Sequence, residues 1–583
     1  MKRKERVKIR LKILYLFGTF FLFITVVQCR WLTQTIDSDG EAGYSTCIKV
    51  DKNKVVHIAY YTNTTLKYAK YKNGVWNTVI VDTIGVTAIP HSLGLDIDKD
   101  NNPHISYFDP YGGIGAIKYA RYVNNMWNLE LVVTNIGIMG CFNSIAIDKN
   151  DNPHISFADA TNRVLKYAKK NTTNGEWGIE IVDSEEGTDG YSSIALDKND
   201  YPHIAYYKLK TPVALKYAEW TGTTWYISVI DTNGWVGVTP SIKLDKNDNP
   251  HISYYDVINS NLKYAKWDGS TWYIETVDVE GLTGFHPWLA LDKHDVPHIS
   301  YYDATLKCLK VAKKVVDGWY IVVVDSSADV GQYSSIDIDM DGVIHISYFD
   351  NTNKDLKYAK LVNTSPELSW TGEENYVSGG VYPTVGDTST TFVFRIRYTD
   401  IDNDPAKPGY PRVRIKKDGV EISSPFIMLE VDPSDTVYSD GKLYISSITL
   451  PVGRYSYSFE AYDIWDAIAT GSPTTFFDGP YVNEPGIVVV NKGEVKVVGG
   501  ASGRGTVNPD KGEKVEIFFK GEQVGKYVCK IFTINGVFVY EDTKDNITEG
   551  KFEWLPKDIA TGTYLVYIEG PGIKYKKKVV ILR

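Results

Sequence analysis

One unit of 47 to 50 residues recurs seven times between residues 31 and 363, and this repetition restricts the fold more than any other feature of the chain. Its landmark histidines are His57, His104, His154, His203, His251, His298 and His345. The copies from 192 to 231 and from 241 to 278 show its content most clearly. Each has an S-I-x-L-D run, an H-I-S-Y-Y run, an L-K-Y-A-K run and a W-x-x-x-x-V-D run, split by turn residues. Short β-prone runs at even spacing exclude a helical repeat and predict four strands per unit.

Four strands per unit, seven times over, predicts an all-β chain whose residues 31–363 form a seven-bladed β-propeller, expected to be monomeric. The W-type run comes first at Trp31, before any other strand, and the last unit stops after Lys360. The missing fourth strand of the seventh unit is therefore expected to be Trp31 to Ile36, closing the ring without a bare sheet edge. The repeat resembles the exported bacterial propellers related to Asp-box sialidases, and turns such as Trp267-Asp268-Gly269-Ser270-Thr271-Trp272 echo the Asp-box.

An aspartate precedes each landmark histidine by six residues: Asp51, Asp98, Asp148, Asp197, Asp245, Asp292 and Asp339. A dyad of this kind can be catalytic, but seven identical copies fit a hairpin-fixing hydrogen bond better, as in the blades of WD-repeat proteins. The D-x-[DN]-x-[DN] turns, as at Asp98, Asp100 and Asn102, have half of a calcium loop and lack its bidentate glutamate, so ordinary turn chemistry accounts for them. Sialidase-type members need three arginines for a substrate carboxylate, yet this region holds Arg121 and Arg163 alone. Glu185, Glu186, His91 and His286 break the repeat before first strands and are the residues to examine for catalysis. No reaction is legible from the sequence.

The connections between fourth and first strands, and between second and third, emerge on one face. That face carries variable loops and an aromatic-acid pair at second-strand ends. Tyr61, Phe108 with Asp109, Asp159, Tyr207, Tyr255 with Asp256, Tyr302 with Asp303, and Phe349 with Asp350 are the expected ligand-binding residues. Aromatic faces beside carboxylates suit a polysaccharide or a protein surface. The competing structural role for each acid is an ion pair with a lysine of the third strand, such as Asp256 with Lys263 or Asp303 with Lys310.

Residues 366–482 alternate apolar and polar residues between turns, as in FVFRIRYTD (392 to 400), and predict an immunoglobulin-like β-sandwich. Asp400, Asp402 and Asp404 form a D-x-D-x-D-P loop that could hold Ca²⁺, as cadherin-like junctions do; no cofactor is otherwise required. Residues 485–583 predict a second sandwich, with Asn535-Gly536 as a hairpin turn and Trp554 in the core. This segment resembles flagellar hook-capping-protein-like immunoglobulin domains and the C-terminal sorting domains of type IX secretion, which implies contact with secretion machinery.

Residues 1–28 pair a basic start with an apolar stretch from Ile13 to Val27 and predict a signal peptide or anchor, hence a secreted or envelope protein of bacterial type. A net charge of -9 and a pI near 5.7 argue against nucleic acid as a partner. The five cysteines lack metal or disulfide spacing. The function classes left open are a binding or adhesion protein, a propeller hydrolase, and a structural surface-layer component.

Overall fold

The computed structural model describes residues 31–582 apart from 86–92, 111–112, 138–141, 172–173, 189, 424, 484–491 and 500–505. The expected signal segment lies outside the described residues, as does His91. Among the described residues all regular structure is strand except for short 3-10 turns. Two compact units divide at Asn363.

In the first unit the strands pair as seven antiparallel four-stranded sheets, consistent with a propeller. The first sheet, in chain order, runs Tyr44–Val50, Val56–Tyr61, Thr65–Lys72 and Val75–Thr83. Each sheet's first strand abuts the first strand of the next sheet, and the seventh returns to the first, so these strands surround an axis. The last sheet has the order Trp31–Asp37, Asp355–Leu361, Ile344–Asp350, Val330–Ile338. Trp31 pairs with Leu361 and Asp37 with Leu356, so the chain's first described strand supplies the outer edge of the last sheet. The first and last strands of this unit thus meet in one sheet, and ring opening costs a whole strand's hydrogen bonds.

A buried hydrogen-bond chain recurs through the sheets. The landmark histidine's Nε2 faces the aspartate six residues earlier at 3.2 Å for His104 and 3.4 Å for His57, and as far as 4.0 Å for His203. The aspartate's other oxygen accepts turn N–H groups, as Asp51 does from Asn53 and Val55. On the far side of the ring, Nδ1 meets a third-strand tyrosine: His57 with Tyr68, His104 with Tyr119 and His154 with Tyr167, each at 2.6 Å. In the sixth sheet Val311 stands where the tyrosine would be. These tyrosines also touch the next sheet. Tyr68 meets Trp127 edge-on with centroids 5.1 Å apart, Tyr119 meets Trp177 at 5.4 Å, and Tyr358 closes the circle on Trp76 at 5.1 Å. Each such aromatic pair contributes about 0.5–1.5 kcal/mol beyond its buried area.

In the second unit, residues 367–483 form two facing sheets of five and six strands over one core that includes Phe392, Phe394, Ile396, Tyr398, Tyr457 and Phe459. The strand Thr391–Thr399 alternates buried and half-buried positions, as a strand between core and solvent must. The last 90 or so residues form a six-stranded sheet around Val515–Thr533, with Trp554 in its core and Gly536 in the left-handed conformation (φ 84°) at the hairpin. Among the described residues Cys47, Cys308 and Cys529 are free and buried.

The Asp-His-Tyr chain makes acid sensitivity predictable. Burial first, and the nearby lysine second, depress His57 and His251 to about 4. An unfolded histidine titrates near 6.5, so the unfolded state takes up protons first as pH falls. This contribution to stability is complete above pH ~6.5 and lost as pH falls to ~4. Burial pushes Asp148 up, but its bonds from His154 and Asn152 outweigh this and hold it low, so carboxylate losses begin only below that window. The melting temperature of the first unit should therefore drop steeply between pH 6.5 and pH 4. A flat profile across that window would contradict the neutral-histidine assignment.

Candidate functional site

The ring's interior is widest in chemistry where the first strands begin. Six residues before each landmark aspartate stand Ser45, Ser92, Phe142, Tyr191, Thr239, His286 and Tyr333. Ser92 falls outside the described residues, and the other six line one cavity of about 90 Å³ with Trp288 and several serines. In four sheets the first strand bulges here: pairing jumps from Tyr44 to Cys47, Val238 to Ser241, Phe285 to Trp288 and Gln332 to Ser335. A bulge leaves residues unpaired and re-aims a side chain. At each bulge the same position is left-handed: Ser45 (φ 47°), Thr239 (48°), His286 (50°) and Tyr333 (52°). For threonine and tyrosine that conformation is strained, and such strain persists only where surrounding structure fixes it.

The surrounding structure does fix it. One residue deeper, Thr46 bonds Ser347 of the preceding sheet at 2.7 Å, Asn143 accepts from Ser106 at 2.6 Å, and Ser334 bonds Ser300 at 3.0 Å. One deeper again, Ser335, Ser193 and Ser241 accept the N–H groups of Ile48, Ile242 and Leu289 in the following sheet. Gly94 occupies that position once, where a Cβ would come within 2.7 Å of the Ile145 nitrogen. Two polar layers thus stitch sheet to sheet beneath the mouth. The mouth residues themselves are left half-buried.

Their side chains form an aromatic-polar wall. Phe142 stacks on Tyr191, and the His286 ring lies 4.3 Å from Tyr333, tilted by 38°. The hydroxyls of Tyr191 and Tyr333 bond no described residue, and burial, with neighbouring tyrosines second, pushes both up to about 12. They remain protonated donors at any physiological pH. Burial drops His286 to about 4, so its ring is neutral, and its Nδ1 is buried without a hydrogen-bond partner. No carboxylate lines the cavity among the described residues.

The residues expected from the sequence to bind ligand sit elsewhere, in the packing between sheets. Tyr61, Phe108, Tyr207, Tyr255, Tyr302 and Phe349 are all buried, so their faces are unavailable to a ligand. Tyr61 Oη donates to the Phe108 carbonyl at 3.2 Å, Tyr207 accepts from Trp235, Tyr255 packs on Phe285, and Tyr302 donates to Asp329 at 2.7 Å. The accompanying acids fix turns and lysines: Asp109 binds Lys118 at 2.6 Å, Asp159 binds Lys166 at 2.6 Å, and Asp303 binds Lys310 at 2.7 Å. Asp256 and Asp350 accept the turn N–H groups of Asn259 and Asn353. Lys263 turns instead to Asp231 of the neighbouring sheet's outer strand. The physical reason is repetition itself, since a residue type kept at the end of every second strand serves packing common to every sheet. Glu185 is held by Lys208 and Lys216 and Glu186 by Arg163, while Arg121 binds Asp98.

In the second unit the acidic loop is redrawn. Asp400, Asp404 and Asp463 are fully buried, with one oxygen each lying within 4.8 Å of the others. Asp402 is not part of this group; its carboxylate accepts the Thr364 N–H at 2.6 Å. Asp463 lies on a loop distant in sequence, which no local spacing could have revealed.

No protein-family model and no curated protein matches the sequence. Solved structures do resemble it in outline. An ulvan lyase described as a new polysaccharide lyase family shares 13% identity over 56% of this chain and 95% of that one, with a TM-score of 0.41. An α-L-arabinofuranosidase from Fusarium graminearum shares 12% over 46% and 92%, at 0.32. A fucose lectin from Kordia zhangzhouensis shares 18% over 24% and 97%, at 0.20.

Strain at the mouth predicts a trade between stability and function. Thr239→Gly removes a β-branched residue from a left-handed position and should hold or raise the melting temperature, the relief being about 1 kcal/mol. Ser193→Gly, which removes a stitching hydroxyl, should lower it. Thermal unfolding of the two variants decides the point, and a Thr239→Gly variant as destabilised as Ser193→Gly would contradict the strain.

Proposed function

We propose that this chain is an exported carbohydrate-binding protein, a seven-bladed propeller that takes a polysaccharide at the axial mouth, carried on two immunoglobulin-like sandwich domains. The observation that carries this reading is the convergence of six side chains of five residue types at one repeat position, four of them on left-handed backbone. The histidines, the aspartates before them and the second-strand aromatics keep their residue types to serve packing; at the mouth the residues vary, and the variants are those that suit sugars. Tyr191, Tyr333 and Phe142 offer ring faces to apolar C–H surfaces, and the two free hydroxyls, neutral His286 and the Ser45 and Thr239 hydroxyls serve ligand hydroxyl groups.

Binding is favoured over hydrolysis by the lining. Glycosidases work with two carboxyl groups about 5–10 Å apart, and the described mouth holds none. The basic, apolar N-terminus and the sorting-domain resemblance of the C-terminus support delivery to the cell surface, where secretion machinery and a polysaccharide would be met. A glycan array with the mature chain tests the reading. Tyr191→Ala with Tyr333→Ala should weaken the best array ligand at least about tenfold, while the melting temperature changes little. Binding that survives the double change, or release of reducing ends from the same glycans, would favour another site or a hydrolase.

The sandwich at 366–482 is proposed to hold Ca²⁺ through Asp400, Asp404 and Asp463, since Ca²⁺ takes clustered carboxylate and carbonyl oxygens. Burial, and Asp463 beside it, raise Asp400 to about 6 against the backbone bonds that lower it, so without a cation its ionisation costs stability that is lost as pH rises from ~3.9 to about 6 and stays lost above it. After chelation, added Ca²⁺ should raise the second unit's melting temperature by several degrees at pH 7.5 and less at pH 5. Asp463→Asn should abolish the rise and Asp402→Asn should keep it; the reverse pattern, or no rise, would overturn this site.

A further inference from the structure

Beneath the mouth, two residues before each landmark aspartate, the first strands carry a second ring: Lys49, Asp96, Ala146, Ala195, Lys243, Ala290 and Asp337. Its charges cancel in number but not in place. Lys49 lies 3.1 Å from Asp96, which also accepts the Ile147 N–H at 2.8 Å. Asp337 accepts the Val50 N–H at 2.7 Å. Lys243, by contrast, has alanines as its neighbours on both adjoining sheets, Ala195 and Ala290, and makes no hydrogen bond or ion pair with a described residue. Asp96 and Asp337 face this ammonium without touching it, and both are committed to other partners, Asp96 to Lys49 and the Ile147 N–H and Asp337 to the Val50 N–H. An ammonium held near the axis with no direct partner is costly, and the cost falls when an anion joins it.

We propose that this second ring, below the mouth, is a binding site for an anionic group, a carboxylate or a sulfate, with Lys243 as its charged contact and the small flanking alanines leaving it room. The site has two possible sources of ligand: the acidic group of a sugar seated at the mouth, which rests on the reading above, or a free small anion. The ionisable groups that face Lys243 are Lys49, Asp337, Asp96 and Cys47. Lys49 first, and burial second, outweigh the two aspartates and depress Lys243 to about 8, so its charge is present at pH 6.5 and largely gone at pH 9. Anion binding at this lysine must fade over the same interval.

The test compares uronic-acid and sulfated array glycans with their neutral counterparts, and sodium sulfate alone, by calorimetry on the full chain. In the unaltered protein at pH 6.5 the acidic forms should bind at least about tenfold more tightly than the neutral ones. That preference should vanish at pH 9 and in Lys243→Met at both pH values. Lys243→Arg, which stays charged, should retain it at pH 9. An acidic preference that survives Lys243→Met, or equal binding of acidic and neutral forms, overturns the anion site and leaves the sugar mouth standing. Sulfate binding that is lost in Lys243→Met, with no glycan bound, supports the anion site with a free anion as its ligand and removes the sugar reading. Binding of neither sulfate nor glycan removes both.

Discussion

The buried histidine of each repeat carries more of the architecture than any strand does. Its two ring nitrogens face opposite ways, one toward the aspartate that closes the first hairpin and one toward a tyrosine of the third strand. The tyrosine's ring then receives a tryptophan from the next sheet. A neutral imidazole can donate on one side and accept on the other, so a single side chain ties turn, sheet and neighbour together. Repeated around a circle, this gives neighbouring sheets a fixed spacing. Where Val311 replaces the tyrosine, the seventh sheet's outer strand is the one borrowed from the chain's beginning.

Because the sheets are held at their outer and middle strands, and stitched again by serines near the axis, the starts of the inner strands are released from packing duty. That freedom permits bulges and left-handed residues that would destabilise an isolated strand. It also allows the repeat to differ from sheet to sheet along the inner strands, and a binding surface needs such difference. The mouth above and the charged ring below are two consecutive uses of it, one aromatic and hydroxylic, the other ionic.

Much of the ring could be read from the sequence, because its signals are periodic. The aspartate-histidine spacing, the four runs per unit and the leading Trp31 strand each have a direct counterpart in the pairing. The tyrosine partner was missed although L-K-Y-A-K names it, since a third-strand residue reaches a second-strand histidine only across the sheet. The mouth is legible only at His286, a departure from the repeat: Ser45, Phe142, Tyr191, Thr239 and Tyr333 share its position but no single residue type, so no repeated pattern marks them. Their face, where fourth strands connect to first strands, was legible, whereas the aromatics chosen on it are core. In the acidic loop two aspartates of three belong together, and the third partner, Asp463, comes from another loop.

The central claim is that variation at one repeat position marks where ligand sits. A crystal structure of the mature chain with the strongest array glycan tests it most directly. The account predicts sugar rings at the axial mouth, against Tyr191 and Tyr333 and within hydrogen-bond distance of their hydroxyls. Sugar bound at the Asp-Asn turns of the opposite face, or on the sandwich domains with the mouth left to solvent, would contradict it.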